Sequence, residues 1–149
     1  MFALLLTVLF ALFSPAPPVA TGASPAGTAV TVAISSPAEG GDIHVAVYAN
    51  DREFATEERN ERGDKKRALP RLTQLEVDLP ATGTYVLAAY HDVNGNGKLD
   101  RNLFGIPTEP YGFPRRPGNK WRRPDFDEVS TNIRPGESIS IELRYWREY

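Results

Sequence analysis

The chain has 149 residues, a formal net charge of −2 and no cysteine. That length suits one domain of ordinary size, the charge gives no footing for nucleic acid, and the missing thiols exclude disulfides. With only two histidines, His44 and His91, a zinc site built from several His and Cys ligands is excluded as well.

Residues 2–13 are almost wholly apolar, and Ser14, Pro15, Pro17 and Pro18 break any helix there. Small residues follow, through Ala20 and Ala23, in the order of a secretory signal peptide. Residues 1–23 are therefore expected to be a leader, cleaved after Ala20 or Ala23. The apolar run falls short of the ~20 residues that span a bilayer. Residues 24–149 form the expected domain, exported to the periplasm or the exterior, with no membrane span once the leader is removed.

Residues 28–35 alternate Val30, Val32 and Ile34 with Thr31 and Ala33, the period of a strand with one buried face. A turn cluster at 37–41 leads to a second alternating run at 42–50, so the two are expected to pair as a hairpin. Residues 51–70 mix acids with bases around Phe54 and Leu69 and read as a solvated loop with one helical turn. Residues 72–79 place Leu75, Val77 and Leu79 in register. Residues 84–91 are apolar on both sides, with Tyr85, Leu87 and Ala89 opposite Val86, Ala88 and Tyr90, which predicts a central strand covered on both faces. Residues 137–146 alternate again, with Ile139, Ile141, Leu143 and Tyr145 inward. No amphipathic helix of useful length is visible. The expected fold is all-β, an antiparallel β-sandwich of Ig-like or transthyretin-like Greek-key type with a long Pro/Gly-rich loop.

Behind the central strand the chain reads Asp92-Val93-Asn94-Gly95-Asn96-Gly97-Lys98-Leu99-Asp100. Against the EF-hand pattern, Asp92, Asn94 and Asn96 occupy positions one, three and five, and Gly97 the sharp turn at six. Lys98 offers its backbone carbonyl at seven and Asp100 its carboxylate at nine. Alternate residues of a tightly curled loop point oxygen inward, and a hard cation takes six to eight such oxygens. Leu103 stands where a bidentate Glu is usual, so Glu109, Asp125, Asp127 and Glu128 are the candidates to complete a shell. Two carboxylates in the loop imply weak, structural Ca²⁺ binding, roughly in the 10⁻⁴–10⁻³ M range of extracellular modules. The same residues also suit a purely hydrogen-bonded turn, because Asn-Gly tolerates positive φ and Asx side chains cap turns unaided.

The block from His91 to Asp100, followed by Asn102, Gly105-Ile106-Pro107, Glu109 and Tyr111-Gly112-Phe113, resembles the signature of a bacterial exported family of uncharacterised proteins, domain of unknown function 2141. The resemblance extends upstream over residues 83–90 and downstream to Pro124-Asp125-Phe126 and residues 139–143. It implies an exported β-sandwich of unknown activity and supplies no catalytic residues.

Residues 103–126 combine Phe104, Tyr111, Phe113, Trp121 and Phe126 with five bases, and their prolines and glycines forbid a long helix or a central strand. Tyr111, Arg115, Arg116, Trp121, Arg122 and Arg123 are the predicted ligand surface. Rings there would stack on sugars and guanidinium forks would grip carboxylate or phosphate. The alternative is a lid whose aromatics pack on the sandwich edge. The function expected is a non-enzymatic exported binding or accessory module for a cell-surface glycan, a polyanion or an envelope protein. The competing expectation is a small metal-dependent extracellular hydrolase centred on the 92–100 loop, with Glu109 and Asp100 as a conceivable carboxylate pair.

Overall fold

Alternating sequence becomes strand, and the register of those strands decides which face each side chain meets. The computed structural model describes residues 28–57, 63–134 and 136–149. The expected leader lies outside them. In chain order the elements are β1 (Thr28–Ser35), β2 (Asp42–Tyr48), α1 (Asp51–Thr56), β3 (Asp64–Arg67), β4 (Thr73–Leu79), β5 (Gly83–Asp92), β6 (Tyr111–Gly112), α2 (Phe126–Val129), β7 (Thr131–Ile133) and β8 (Ser138–Glu142), closed by a 3-10 turn at Trp146–Glu148.

The strands form two sheets. One has the order β4-β1-β8; the other runs β3-β2-β5-β6, with β7 also paired to β5. Val30, Val32 and Ile34 of β1, Leu75, Val77 and Leu79 of β4, and Ile139 and Ile141 of β8 meet Ile43, Val45 and Val47 of β2 and Tyr85, Leu87 and Ala89 of β5 in one buried cluster. Each buried Val, Leu or Ile among them contributes about 1.5–3 kcal/mol by leaving water. The all-β sandwich expected from the alternation is therefore the fold.

Several details depart from the expectation. β1 and β2 are not a hairpin: β1 pairs with β4 and β8, and β2 pairs with β3 and β5. Both strands must turn their apolar faces into the same core from opposite sides, so the connection crosses between sheets. Gly41 sits at that crossing with φ +60, where a Cβ would lie 2.1 Å from the Asp92 carbonyl oxygen. β8 lies parallel to β1, with Val32 opposite Ile139, so the smaller sheet is mixed. The charged stretch 64–67 is a strand, β3, exposed at every side chain. It holds the edge of its sheet, where charge blocks further pairing. The last strand stops at Glu142, and Tyr145 caps the terminal turn instead of continuing inward.

β5 is covered on both sides, as its composition predicts. Its outer residues Val86 and Ala88 pack with Ala46 and Tyr48 of β2 beneath Phe54, Phe113, Phe126 and Val129. Phe54 lies edge-on to Tyr48, Phe113 and Phe126, with centroids 5.4, 6.2 and 6.5 Å away. These rings fasten α1 and the 113–129 segment to the outer face of the larger sheet. The long excursion after β5 is also broken into pieces, by an Arg101–Pro107 bridge, by β6 and by α2.

Candidate functional site

β5 ends in a buried acid. Asp92 is 1 % exposed, and its carboxylate faces the loop that follows. Oδ1 accepts the backbone N–H groups of Gly95 at 2.8 Å and Asn96 at 3.0 Å, and Oδ2 accepts that of Gly97 at 2.6 Å. Gly97 has φ +77, which lets the chain curl tightly enough for these amides to share one carboxylate. Burial pushes the Asp92 carboxyl up, but the three amides and nearby His44 outweigh it and hold the group below the ordinary carboxylate range. His44 Nε2 lies 3.5 Å from Oδ2. Its ring stacks on Tyr90, the residue opposite it in the ladder, at 4.8 Å between centroids. The Tyr90 hydroxyl donates to the Gly97 carbonyl at 3.0 Å and ties the loop to that face.

The rim of the loop is a second cluster of oxygens. Asn94 Nδ2 donates to Asp100 Oδ2 at 2.6 Å, and Asn96 Nδ2 donates to Asp100 Oδ1 at 2.9 Å. The amide oxygens of Asn94 and Asn96 accept the N–H groups of Asn96 and Lys98, at 3.1 and 2.9 Å. Asp92, Asn94, Asn96 and Asp100 are thus joined in one hydrogen-bonded loop. The Lys98 side chain is exposed beside it. Among the described residues, no group of three or more His, Cys, Asp or Glu side chains forms an ion-holding cluster.

Glu109 reaches the loop from behind. It is 6 % exposed; Oε1 accepts the Val93 N–H at 2.8 Å, and Oε2 accepts the Asp100 N–H at 3.1 Å. The Thr108 N–H donates to the Asp100 carbonyl at 2.9 Å. One carboxylate therefore locks both ends of the loop to residues 106–109. Residues 106–108 form one wall of a shallow depression of about 420 Å³, lined by Ile106, Pro107, Thr108, Tyr145, Trp146 and Arg147. Sequence reasoning missed this depression because the terminal turn was read as strand.

The predicted ligand surface divides. Tyr111 is half-buried and stacks on Tyr149 at 4.9 Å; the Tyr149 hydroxyl donates to the Tyr111 carbonyl at 2.7 Å. Burial pushes both phenols above their ordinary range. Arg115 donates to the carbonyls of Asp127 and Ser130, each at 3.2 Å. Arg122 pairs with Asp125 at 3.2 Å and Glu128 at 3.0 Å. Arg123 donates to the Phe54 and Ala55 carbonyls, lies over the Phe54 ring and pairs with Glu57 at 3.4 Å. Arg123 thus fastens the segment to α1, whereas Arg115 and Arg122 bind within residues 115–130. Arg116 is exposed. Trp121 is 76 % exposed and meets Trp146 edge-on at 4.8 Å, beside the depression.

His91 is fully buried and binds at both ring nitrogens. It faces the Gly40 carbonyl through Nε2 and the Ser36 hydroxyl, at 2.7 Å, through Nδ1. A carbonyl can only accept, so Nε2 carries the proton and Nδ1 accepts from Ser36. The ring thus pins the β1–β2 crossing to β5, a role that a cross-sheet neighbour creates and the linear sequence does not show.

Two packed sheets, an aromatic cluster on the outer face and an acid-centred loop define an all-β sandwich domain. The family described as "Uncharacterized protein conserved in bacteria (DUF2141)" matches residues 31–141, from within β1 to within β8, and the chain belongs to that family. No curated protein and no solved structure matches it. Among the described residues, no helix is long and apolar enough to cross a membrane.

Proposed function

We propose that this chain is an exported binding module, in which a weakly bound hard cation stiffens the 92–100 loop and so holds an aromatic and basic surface for an anionic glycan or similar polyanion. The observation that carries this reading is the Glu109 brace. It couples the oxygen-rich loop to the chain directly after residues 106–108, one wall of the depression that Tyr145, Trp146 and Arg147 complete. Trp121 and Trp146 supply faces for sugar rings, while Arg147 and Lys120, which lies 4.6 Å over the Trp146 ring, supply positive charge.

A cation entering the loop would meet the Asp100 carboxylate and the Lys98 carbonyl, with Asp92 Oδ2, which accepts a single amide, on the inner side. It would displace the two amide donors from Asp100 and draw the Asn94 and Asn96 oxygens inward. The ion's role there is mechanical: it replaces the hydrogen bonds at the rim with a single charged centre. The test is retention of the purified chain on immobilised anionic polysaccharides with calcium present. Trp121→Ala combined with Arg147→Ala should lower retention at least tenfold. Undiminished retention of that variant would remove the binding surface from the proposal.

A further inference from the structure

Residues 101–107 fold back on themselves as a small self-contained turn. Arg101 bridges to Pro107 at its base. The Asn102 N–H donates to the Ile106 carbonyl, and the Gly105 N–H to the Asn102 carbonyl, both at 2.9 Å. The Asn102 side-chain oxygen accepts the N–H groups of Phe104 at 2.9 Å and Ile106 at 3.1 Å. Backbone and Asn102 thus hold the turn, and the side chains of Leu103 and Phe104 have no part in holding it. Leu103 is 102 % exposed and Phe104 is 87 % exposed. A single exposed apolar residue is ordinary. Two adjacent ones fixed at the tip of a hydrogen-bonded turn make one contiguous apolar patch, the kind of surface that marks interaction sites.

The surroundings of the tip carry positive charge. Arg101 stands at its base, Arg147 lines the depression beside Ile106 and Pro107, and Lys120 covers Trp146 on the same wall. Glu57 offsets Arg101 and Arg123, at 3.5 and 3.4 Å. The largely exposed Trp121 meets Trp146 here too. Leu and Phe at a tip, Arg at its base, and Trp, Lys and Arg about the neighbouring depression are the kinds of side chain that enter a bilayer interface.

We propose that this turn is a lipid-docking tip: Leu103 and Phe104 enter the headgroup–acyl boundary of an anionic bilayer while Arg101, Lys120 and Arg147 meet its headgroups. The shape favours a bilayer over a protein. A convex tip needs a matching cavity on a protein partner, whereas fluid lipid closes around any protruding apolar group. A second copy of the chain would bring cation against cation at the same place, while the negative surface of an anionic leaflet attracts these charges. The proposal stands on the turn and its cations and does not require the glycan or the ion.

The test is co-sedimentation of the purified chain with vesicles of phosphatidylglycerol and phosphatidylethanolamine, and with vesicles of phosphatidylcholine alone. The chain is expected to partition to the anionic vesicles and to shift its Trp emission to the blue as it does so. Leu103→Ser with Phe104→Ser should lower partition at least tenfold, with the melting temperature unchanged because neither side chain enters a core. Arg101→Ala with Arg147→Ala should weaken partition to anionic vesicles and flatten its salt dependence. Absence of partition to both vesicle types, or equal partition of the double Ser variant, would overturn the proposal. A concentration-dependent dimer abolished by the same Ser substitutions would overturn it in favour of self-association.

Discussion

The 92–100 loop and the 115–128 segment are comparable in polarity but hold their charges in opposite ways. At the loop, the buried acid Asp92 and Glu109 behind it accept five backbone N–H bonds between them, so each charge is met by fixed dipoles. In the segment, the Arg122 cluster sets charge against charge at the surface. Arg122 lies between Asp125 and Glu128, and these side chains remain in contact with water. Glu128 is held below the ordinary carboxylate range first by the Gly118 N–H and also by Arg122. A charge sunk onto the backbone fixes the path of the chain, and its loss strands several donors. An exposed ion pair is screened, entropically costly to order, and easily replaced by water.

Asp92→Ala is expected to have the largest effect. Three amides lose their acceptor, and a loss of about 2–4 kcal/mol in urea unfolding is expected. A value near zero would place the loop in the same class as the surface segment. Glu109→Ala removes the acceptor of Val93 and Asp100 and should cost about 1–3 kcal/mol. It should also weaken polysaccharide retention, because the depression wall loses its tie to the loop.

Acid sharpens the contrast further. The Asp92 carboxyl is lowered in the folded chain, so its contribution is complete above the ordinary carboxylate pKa and disappears as pH falls through the lowered value. Stability should therefore fall below about pH 4, and the fall should be shallower in Asp92→Asn, which has no proton to take up there. The smallest effect is expected from Arg122→Ala. Its melting temperature should match the parent's within error, because water and salt replace both ion pairs.

How much of this was legible beforehand depends on whether a residue's role is set by its neighbours in sequence or in space. β1, β4 and β5 were readable because their period-two patterns report a buried face directly. β3 was not, since Asp64, Lys65, Lys66 and Arg67 are exposed and the strand exists only through its pairing with β2. The 37–41 turn looked like a hairpin because turn chemistry does not say which sheet the chain enters next. The polar loop was readable as one unit, because its contacts span only a few residues. Glu109 was picked out as a carboxylate near the loop, but its two backbone partners depend on how residues 101–108 fold back. The arginines were grouped as a ligand surface from composition, while Arg115 and Arg123 find carbonyls that only the folded outer face brings to them.

The direct measurement is thermal unfolding of the purified chain during a calcium titration, alongside Asp100→Asn. With a dissociation constant of roughly 10⁻⁴–10⁻³ M, calcium at about 10 mM should raise the melting temperature by about 5–10 °C. The Asp100→Asn chain should fold but show no such rise. A melting temperature unmoved by calcium in the parent chain would contradict cation binding and leave the 92–100 loop as a turn held by hydrogen bonds alone.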